Sequence, residues 1–227
     1  MGPLARIRRY IKAYMDMEEL NRRTLPLIDR PQEMIRETIK YCDGFLQPTQ
    51  VEQELVHLLE DVRTLKPRRV LEIGTNKGGT LYFWTRLAQP DAILISIDLP
   101  GGKFGGGYSR FRGPIYQRFA QANQALQLMR ANSHDLSTFE RTKRLLDGRE
   151  LDFLYIDGDH TFEGVKKDWE MYSPLVRSGG LIVFHDVAGN YEETHVKQFW
   201  DSIKESYPHR EYMMHPKGLY GIGVLHK

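Results

Sequence analysis

Apolar residues recur along this chain with two periods. Leu4, Ile7, Ile11 and Tyr14 share one face at helical spacing, with arginines elsewhere, which predicts a helix over 3–23. Pro26 and Pro31 interrupt it, and Gln32 to Tyr41 reads as a second helix. Val51, Leu55, Leu58, Leu59, Val62 and Leu65 predict a third, opened by the capping-box spacing Thr49-x-x-Glu52 and closed by Pro67. Short continuous apolar runs then appear at 70–73, 92–98, 127–132, 151–156 and 181–184, and these read as buried strands. Helical patterns stand between and after them: 80–87, a start at Ser137-x-x-Glu140, 161–175 with Val165, Trp169 and Tyr172 inward, and 194–206. Ser178-Gly179-Gly180 reads as a turn, and two last strands, 211–214 and 219–225, are joined at Pro216-Lys217-Gly218. The alternation predicts an α/β fold: a doubly wound, mostly parallel seven-stranded sheet with helices on both faces. Residues 1–45 form an N-terminal helical extension, read as a lid, a dimer arm or a self-packed cap, and 46–227 form the main domain.

Composition narrows the function classes. Net charge is +2, so no polyanion preference follows, and no basic-aromatic pattern points to nucleic acid. Cys42 is the single cysteine, which fits a reducing, cytoplasmic setting. No apolar run approaches the roughly 20 residues of a membrane span, and the basic N-terminus lacks the apolar stretch of a signal peptide.

In such sheets, ligands bind at the carboxyl ends of the strands. The polar clusters all fall there. The first strand ends in Glu72 and the turn Gly74-Thr75-Asn76-Lys77-Gly78-Gly79, followed by a helix. Asn76 stands where a dinucleotide fingerprint needs its second glycine, and the P-loop pattern is missing. The second strand ends in Asp98, 24 residues beyond Gly74, where an acid accepts both ribose hydroxyls of an adenosine-type ligand. The glycine-rich stretch 100–108 follows as a loop near the mouth, and Ser133 and His134 stand at the end of the third strand. The fourth and fifth strands end in Asp157-Gly158-Asp159-His160 and His185-Asp186. Asp157, His185 and Asp186 suit a divalent cation, the carboxylates favouring Mg²⁺ or Mn²⁺ and the imidazole admitting Zn²⁺ or Fe²⁺. His160 is placed to act as a general base, and Asp159 to cap the next helix.

Glu72-x-Gly74-x-x-x-Gly78 resembles the first motif of class I S-adenosylmethionine-dependent methyltransferases, whose fold is Rossmann-like. Ile156 to Val165, Ser173 to Gly180 and Phe184-His185-Asp186 look like the cephalosporin-hydroxylase-like group of that class, which includes macrolide-sugar O-methyltransferases. The resemblance covers roughly residues 45–190. It implies S-adenosylmethionine as cofactor: Glu72, Gly74, Thr75, Asn76, Gly78 and Gly79 around the methionine part, Asp98 on the ribose, Ser133 and His134 at the adenine, and Asp157 nearby. It also implies Mg²⁺ on Asp157 and the residues at 185 and 186, a small-molecule hydroxyl as acceptor, and catalysis by His160 with Asp157. His185 departs from the pattern, since related members often carry an acid there. An NAD-dependent oxidoreductase and a non-catalytic cofactor-binding protein stay open as alternatives. No membrane partner is expected, and a homo-oligomer is compatible with the first 45 residues.

Overall fold

Each central strand is apolar on both sides because helices cover both sides. Val70, Leu94, Phe153, Tyr155, Leu181 and Val183 enter one buried layer. Their neighbours Leu71, Ile95, Leu154, Ile156 and Ile182 enter the other. Period-two alternation between two apolar layers produces the near-continuous hydrophobic runs. The structure is a computed structural model that describes residues 2–104, 106–189 and 194–227.

The strands are β1 (Arg69–Ile73), β2 (Ile93–Ile97), β3 (Ala125–Met129), β4 (Leu151–Ile156), β5 (Val176–His185), β6 (His209–Tyr212) and β7 (Ile222–His226). Their order is β3-β2-β1-β4-β5-β7-β6. Strands β1 to β5 pair in parallel, and β7 runs antiparallel between β5 and β6. The strand order reverses between β1 and β4, so a crevice opens beyond their carboxyl ends. The helices are α1 (Pro3–Thr24), α2 (Pro31–Lys40), α3 (Glu52–Leu65), α4 (Gly79–Leu87), α5 (Gly113–Gln117), α6 (Leu136–Leu146), α7 (Phe162–Tyr172) and α8 (Val196–Ile203). Met17, Leu20, Met34, Ile35 and Phe45 join the same buried cluster as Leu55, Leu59 and Tyr82, so α1, α2 and the chain at Phe45 pack into the layer of α3 and α4. Leu146, Val165, Tyr172, Phe199 and Trp200 build the opposite layer. Among the described residues, no helix is long and apolar enough to cross a membrane.

Several local expectations need correction. On α1 the stripe Leu4, Ile7, Ile11, Tyr14 is exposed, and Ala13, Met17 and Leu20 are buried instead. The docking face is chosen by contact with α2 and α5, which spacing along one helix cannot reveal. Neither capping box forms. Helix α3 follows Val51 and α6 follows Asp135, with no side-chain cap on either, and Glu52 pairs with Arg36 at 3.2 Å. The third strand covers 125–129, since Ala125 pairs with Ile93 and Met129 with Ile97, and the chain leaves the sheet after that. Ser178-Gly179-Gly180 does not end a segment. It lies within β5 as a bulge, where Leu151 faces Val176 and Phe153 faces Leu181. The last two strands are displaced because the buried Glu54 carboxylate gathers the connection between them, accepting from the backbone N–H of Met214 (2.7 Å), His215 (3.2 Å) and Gly221 (3.2 Å).

Candidate active site

β1 runs directly into the glycine turn. Gly74 sits at φ +92°, and a Cβ there would lie 1.9 Å from the Asp157 carbonyl oxygen. Glycine alone lets the ends of β1 and β4 approach this closely. Gly78 sits at φ +83°, with its absent Cβ only 2.6 Å from the Tyr116 ring. The Tyr116 hydroxyl donates to the Asn76 carbonyl at 2.9 Å, and Arg112 Nη1 donates to the carbonyls of Lys77 (3.1 Å) and Phe45 (3.0 Å). The turn therefore rests on side chains well downstream in the chain, a support that no local motif announces.

Glu72 does not reach the cavity beside this turn. By strand alternation it points into the layer of α4, between Leu71 and Ile73, which face the other way. It is wholly buried, accepting from Trp84 Nε1 and Thr75 Oγ1, both at 2.8 Å. Burial pushes its carboxyl up to about 8. The expected contact with the methionine part is corrected: Glu72 braces the turn from below.

A cavity of about 520 Å³ opens at the carboxyl edge of the parallel strands. Gly74, Thr75, Asn76, Gly78 and Gly79 form one wall, Asp98 the next, Ser133 and His134 the far end, and Asp157, His160, His185 and Asp186 the near end. Oδ2 of Asp98 accepts from the N–H groups of Tyr108 (2.8 Å) and Asn76 (3.1 Å), while burial raises its pKa. The glycine-rich loop contributes Gly102, Lys103, Phe104 and Gly107 to the lining, and Gly105 lies outside the described residues. Phe104 stacks on the His160 ring at 4.9 Å and 14°.

At the near end two carboxylates and two imidazoles meet. His160 bridges the acids, with Nδ1 3.1 Å from Asp186 Oδ2 and Nε2 3.4 Å from Asp157 Oδ1. His185 Nδ1 lies 3.1 Å from Asp157 Oδ1 and 3.4 Å from Asp186 Oδ1. Gln50 Nε2 donates to Asp157 Oδ2 at 2.9 Å and to the Tyr155 hydroxyl at 3.0 Å. Burial opposes the charge on Asp157, but His185 and His160 outweigh it and hold the carboxyl well below its ordinary range. Burial opposes the charge on His185 too, yet Asp157 and Asp186 lift it to about 9. His160 is raised against its burial by the same two acids. Asp186 is raised by burial and adopts the left-handed φ of +64°, a conformation a non-glycine residue holds only when its surroundings impose it.

Among the described residues, Asp157, His160 and Asp186 are the three whose ligand atoms all lie within 4.8 Å of one another. This differs from the expected trio with His185. That residue is almost fully buried, its Nδ1 is committed to the acids, and its Nε2 has no hydrogen-bond partner among the described residues. At the far end, His134 Nε2 lies 3.3 Å from Oδ1 of Asp168 on α7, and the Tyr172 hydroxyl donates to the Ser133 carbonyl at 2.7 Å. Asp159 accepts from the N–H (2.9 Å) and hydroxyl (2.8 Å) of Thr161, whose own Oγ1 caps α7 by accepting from Gly164 N–H at 3.0 Å. Sequence reasoning missed Gln50, Phe104, Tyr155 and Asp168. Only Phe104 had a signal, its place in the glycine loop.

A family model described as a methyltransferase domain matches residues 71–187. The uncharacterized protein y4gI of Sinorhizobium fredii is 26% identical over 167 residues, which are 72% of this chain, and the chain spans 18% of that relative's length. Among solved structures, the O-methyltransferase TomG from Streptomyces achromogenes, in complex with S-adenosylmethionine, aligns with a TM-score of 0.56 at 18% identity, covering 88% of this chain and 90% of that one. MycE methyltransferase of the mycinamycin pathway, in complex with Mg, S-adenosylhomocysteine and mycinamycin VI, aligns with a TM-score of 0.50 at 19% identity, covering 76% of this chain and 49% of that one.

Proposed function

The chain belongs to the methyltransferase-domain family, and from that premise we propose that it transfers a methyl group from S-adenosylmethionine to a hydroxyl oxygen of a small molecule. The observation that carries this reading is convergence: the glycine turn, Asp98 and the Asp157–His160–Asp186 set line one cavity. TomG, an O-methyltransferase, supports oxygen as the acceptor atom, and the Mg of the MycE complex supports a cation.

The donor set fits a divalent cation, with the Asp157 and Asp186 carboxylate oxygens close enough to share an ion and the His160 imidazole beside them. Asp157 and Asp186 would hold it, and a hydroxyl on such an ion loses its proton more readily. Gln50 and Tyr155 bind Asp157 Oδ2, leaving Oδ1 turned to the histidines. Asp98, at the end of β2, would accept the ribose hydroxyls of the methyl donor, and the backbone of the glycine turn would follow its amino-acid tail. His160 would take the acceptor's proton, and the methyl donor would supply the methyl group to the oxygen with loss of its methyl–sulfur bond, leaving as S-adenosylhomocysteine. Phe104 shields that imidazole on one face. Most of the rate gain would come from holding oxygen and methyl group in contact.

Calorimetric titration with S-adenosylhomocysteine, with and without Mg²⁺, tests the reading. The wild type should bind and Asp98→Ala should lose most of the affinity. Absence of wild-type binding in both buffers overturns the proposal. His160→Ala should lower turnover roughly 100-fold or more while cofactor affinity stays within about twofold. If Mn²⁺ affinity falls together with turnover, His160 serves as a ligand rather than as the base.

A further inference from the structure

The far end of the cavity holds a buried acid that the proposed chemistry does not use. Asp168 on α7 is wholly buried. Among the described residues neither of its carboxylate oxygens nor His134 Nε2 has a well-aligned hydrogen-bond partner, and the ion-pair contact between them sets His134 Nε2 3.3 Å from Oδ1. A carboxylate withdrawn from water is costly unless a proton donor faces it, so the pairing places the His134 proton on Nε2. The proton is held from both sides: burial raises Asp168, and the bond to Asp168 raises His134. Ser133, Asp159 and Lys167 are the other polar groups that act on the pair.

Two further observations direct this pair at the cavity. Gly158, a cavity-wall residue, would carry its Cβ 3.6 Å from Asp168 Oδ2, so the acid lies immediately behind the wall. His134 lines the cavity, its Nε2 lies buried 3.3 Å from Asp168 Oδ1, and among the described residues no hydrogen bond is made to its Nδ1. The imidazole is thus tethered at one nitrogen and offers the other to a ligand.

We propose that Asp168 is a positioning residue for the adenine end of the cofactor: it fixes the Nε2 proton of His134 and so turns Nδ1 toward the adenine. The proposal rests on the cofactor reading above. Its action passes through His134, as a buried carboxylate behind a histidine sets tautomer and orientation without touching the reacting atoms.

Two measurements on the full chain decide it. Nitrogen-15 NMR of the ligand-free protein should show His134 protonated at Nε2. In Asp168→Asn that preference should be lost, since an amide offers both a donor and an acceptor to the ring. Calorimetry then compares wild type, Asp168→Asn, His134→Ala and the double variant with S-adenosylhomocysteine and with adenosine. Asp168→Asn should weaken both ligands by the same factor, about tenfold, because adenosine carries the end that His134 meets. In the His134→Ala background, the same change should have no further effect on affinity. Additive losses in the double variant, a loss confined to S-adenosylhomocysteine, or unchanged Nε2 protonation in Asp168→Asn would overturn the proposal. Thermal melts identify a variant that has merely unfolded, and His134→Ala then carries the ligand comparison. If the wild type binds neither nucleoside, the cofactor reading fails, and the NMR result still decides whether Asp168 holds the His134 proton.

Discussion

Replacing Glu72 by Gln separates a residue that holds the cofactor from one that holds the turn. The carboxyl titrates at about 8 in the folded chain against an ordinary value of 4.5, because it is buried. Its folded pKa is raised, so folding stability is fully present below about pH 4.5 and declines as pH rises toward 8. Over that span the unfolded chain has released the proton while the folded chain keeps it. Linkage gives about 1.4 kcal/mol per pH unit, hence about 4 kcal/mol lost between pH 5 and pH 8. Gln cannot ionise, and its amide can still accept from Trp84 and meet Thr75. The stability of Glu72→Gln relative to wild type should therefore rise by about 4 kcal/mol across that range, while other titrating groups cancel in the difference. Urea unfolding followed by tryptophan fluorescence at pH 5, 6, 7 and 8 measures it. Parallel curves for the two proteins would refute the reasoning. Affinity for S-adenosylhomocysteine should stay within about twofold, and a loss of about tenfold or more would return Glu72 to the ligand.

Two further substitutions probe the scaffold. Gly74→Ala places a Cβ 1.9 Å from the Asp157 carbonyl oxygen at φ +92° and should cost about 3 kcal/mol or more, read as a fall in Tm or loss of soluble protein. Asp152 accepts from the N–H groups of Arg68 (2.8 Å) and Arg69 (2.9 Å) and pairs with Arg177 at 2.6 Å. Burial opposes its charge, but Arg177 and the two N–H groups outweigh that and hold it below its ordinary value. Its contribution is therefore present above the unfolded pKa and lost as pH falls through the folded one. Asp152→Asn should cost about 2 kcal/mol at pH 7, and the gap to wild type should close in acid unfolding.

That the glycine turn, Asp98, His134, Asp157, His160 and Asp186 line one cavity was legible because each stands at or just past a strand end, and parallel strands deliver their ends to one edge. Gln50 was not legible, since it stands 107 residues from the Asp157 carboxylate it binds. Phe104 and Asp168 act across loops and layers in the same way.

The order of elements, the two apolar layers and the edge that holds the polar clusters follow from periodicity and turn chemistry, which are local and therefore readable along the chain. Which face of α1 is buried, why Glu72 turns under the loop and which histidine stands between the two acids were decided only in the folded molecule. Those choices depend on contacts between residues far apart in sequence, where burial and charge pairing select one orientation from several that local pattern permits equally.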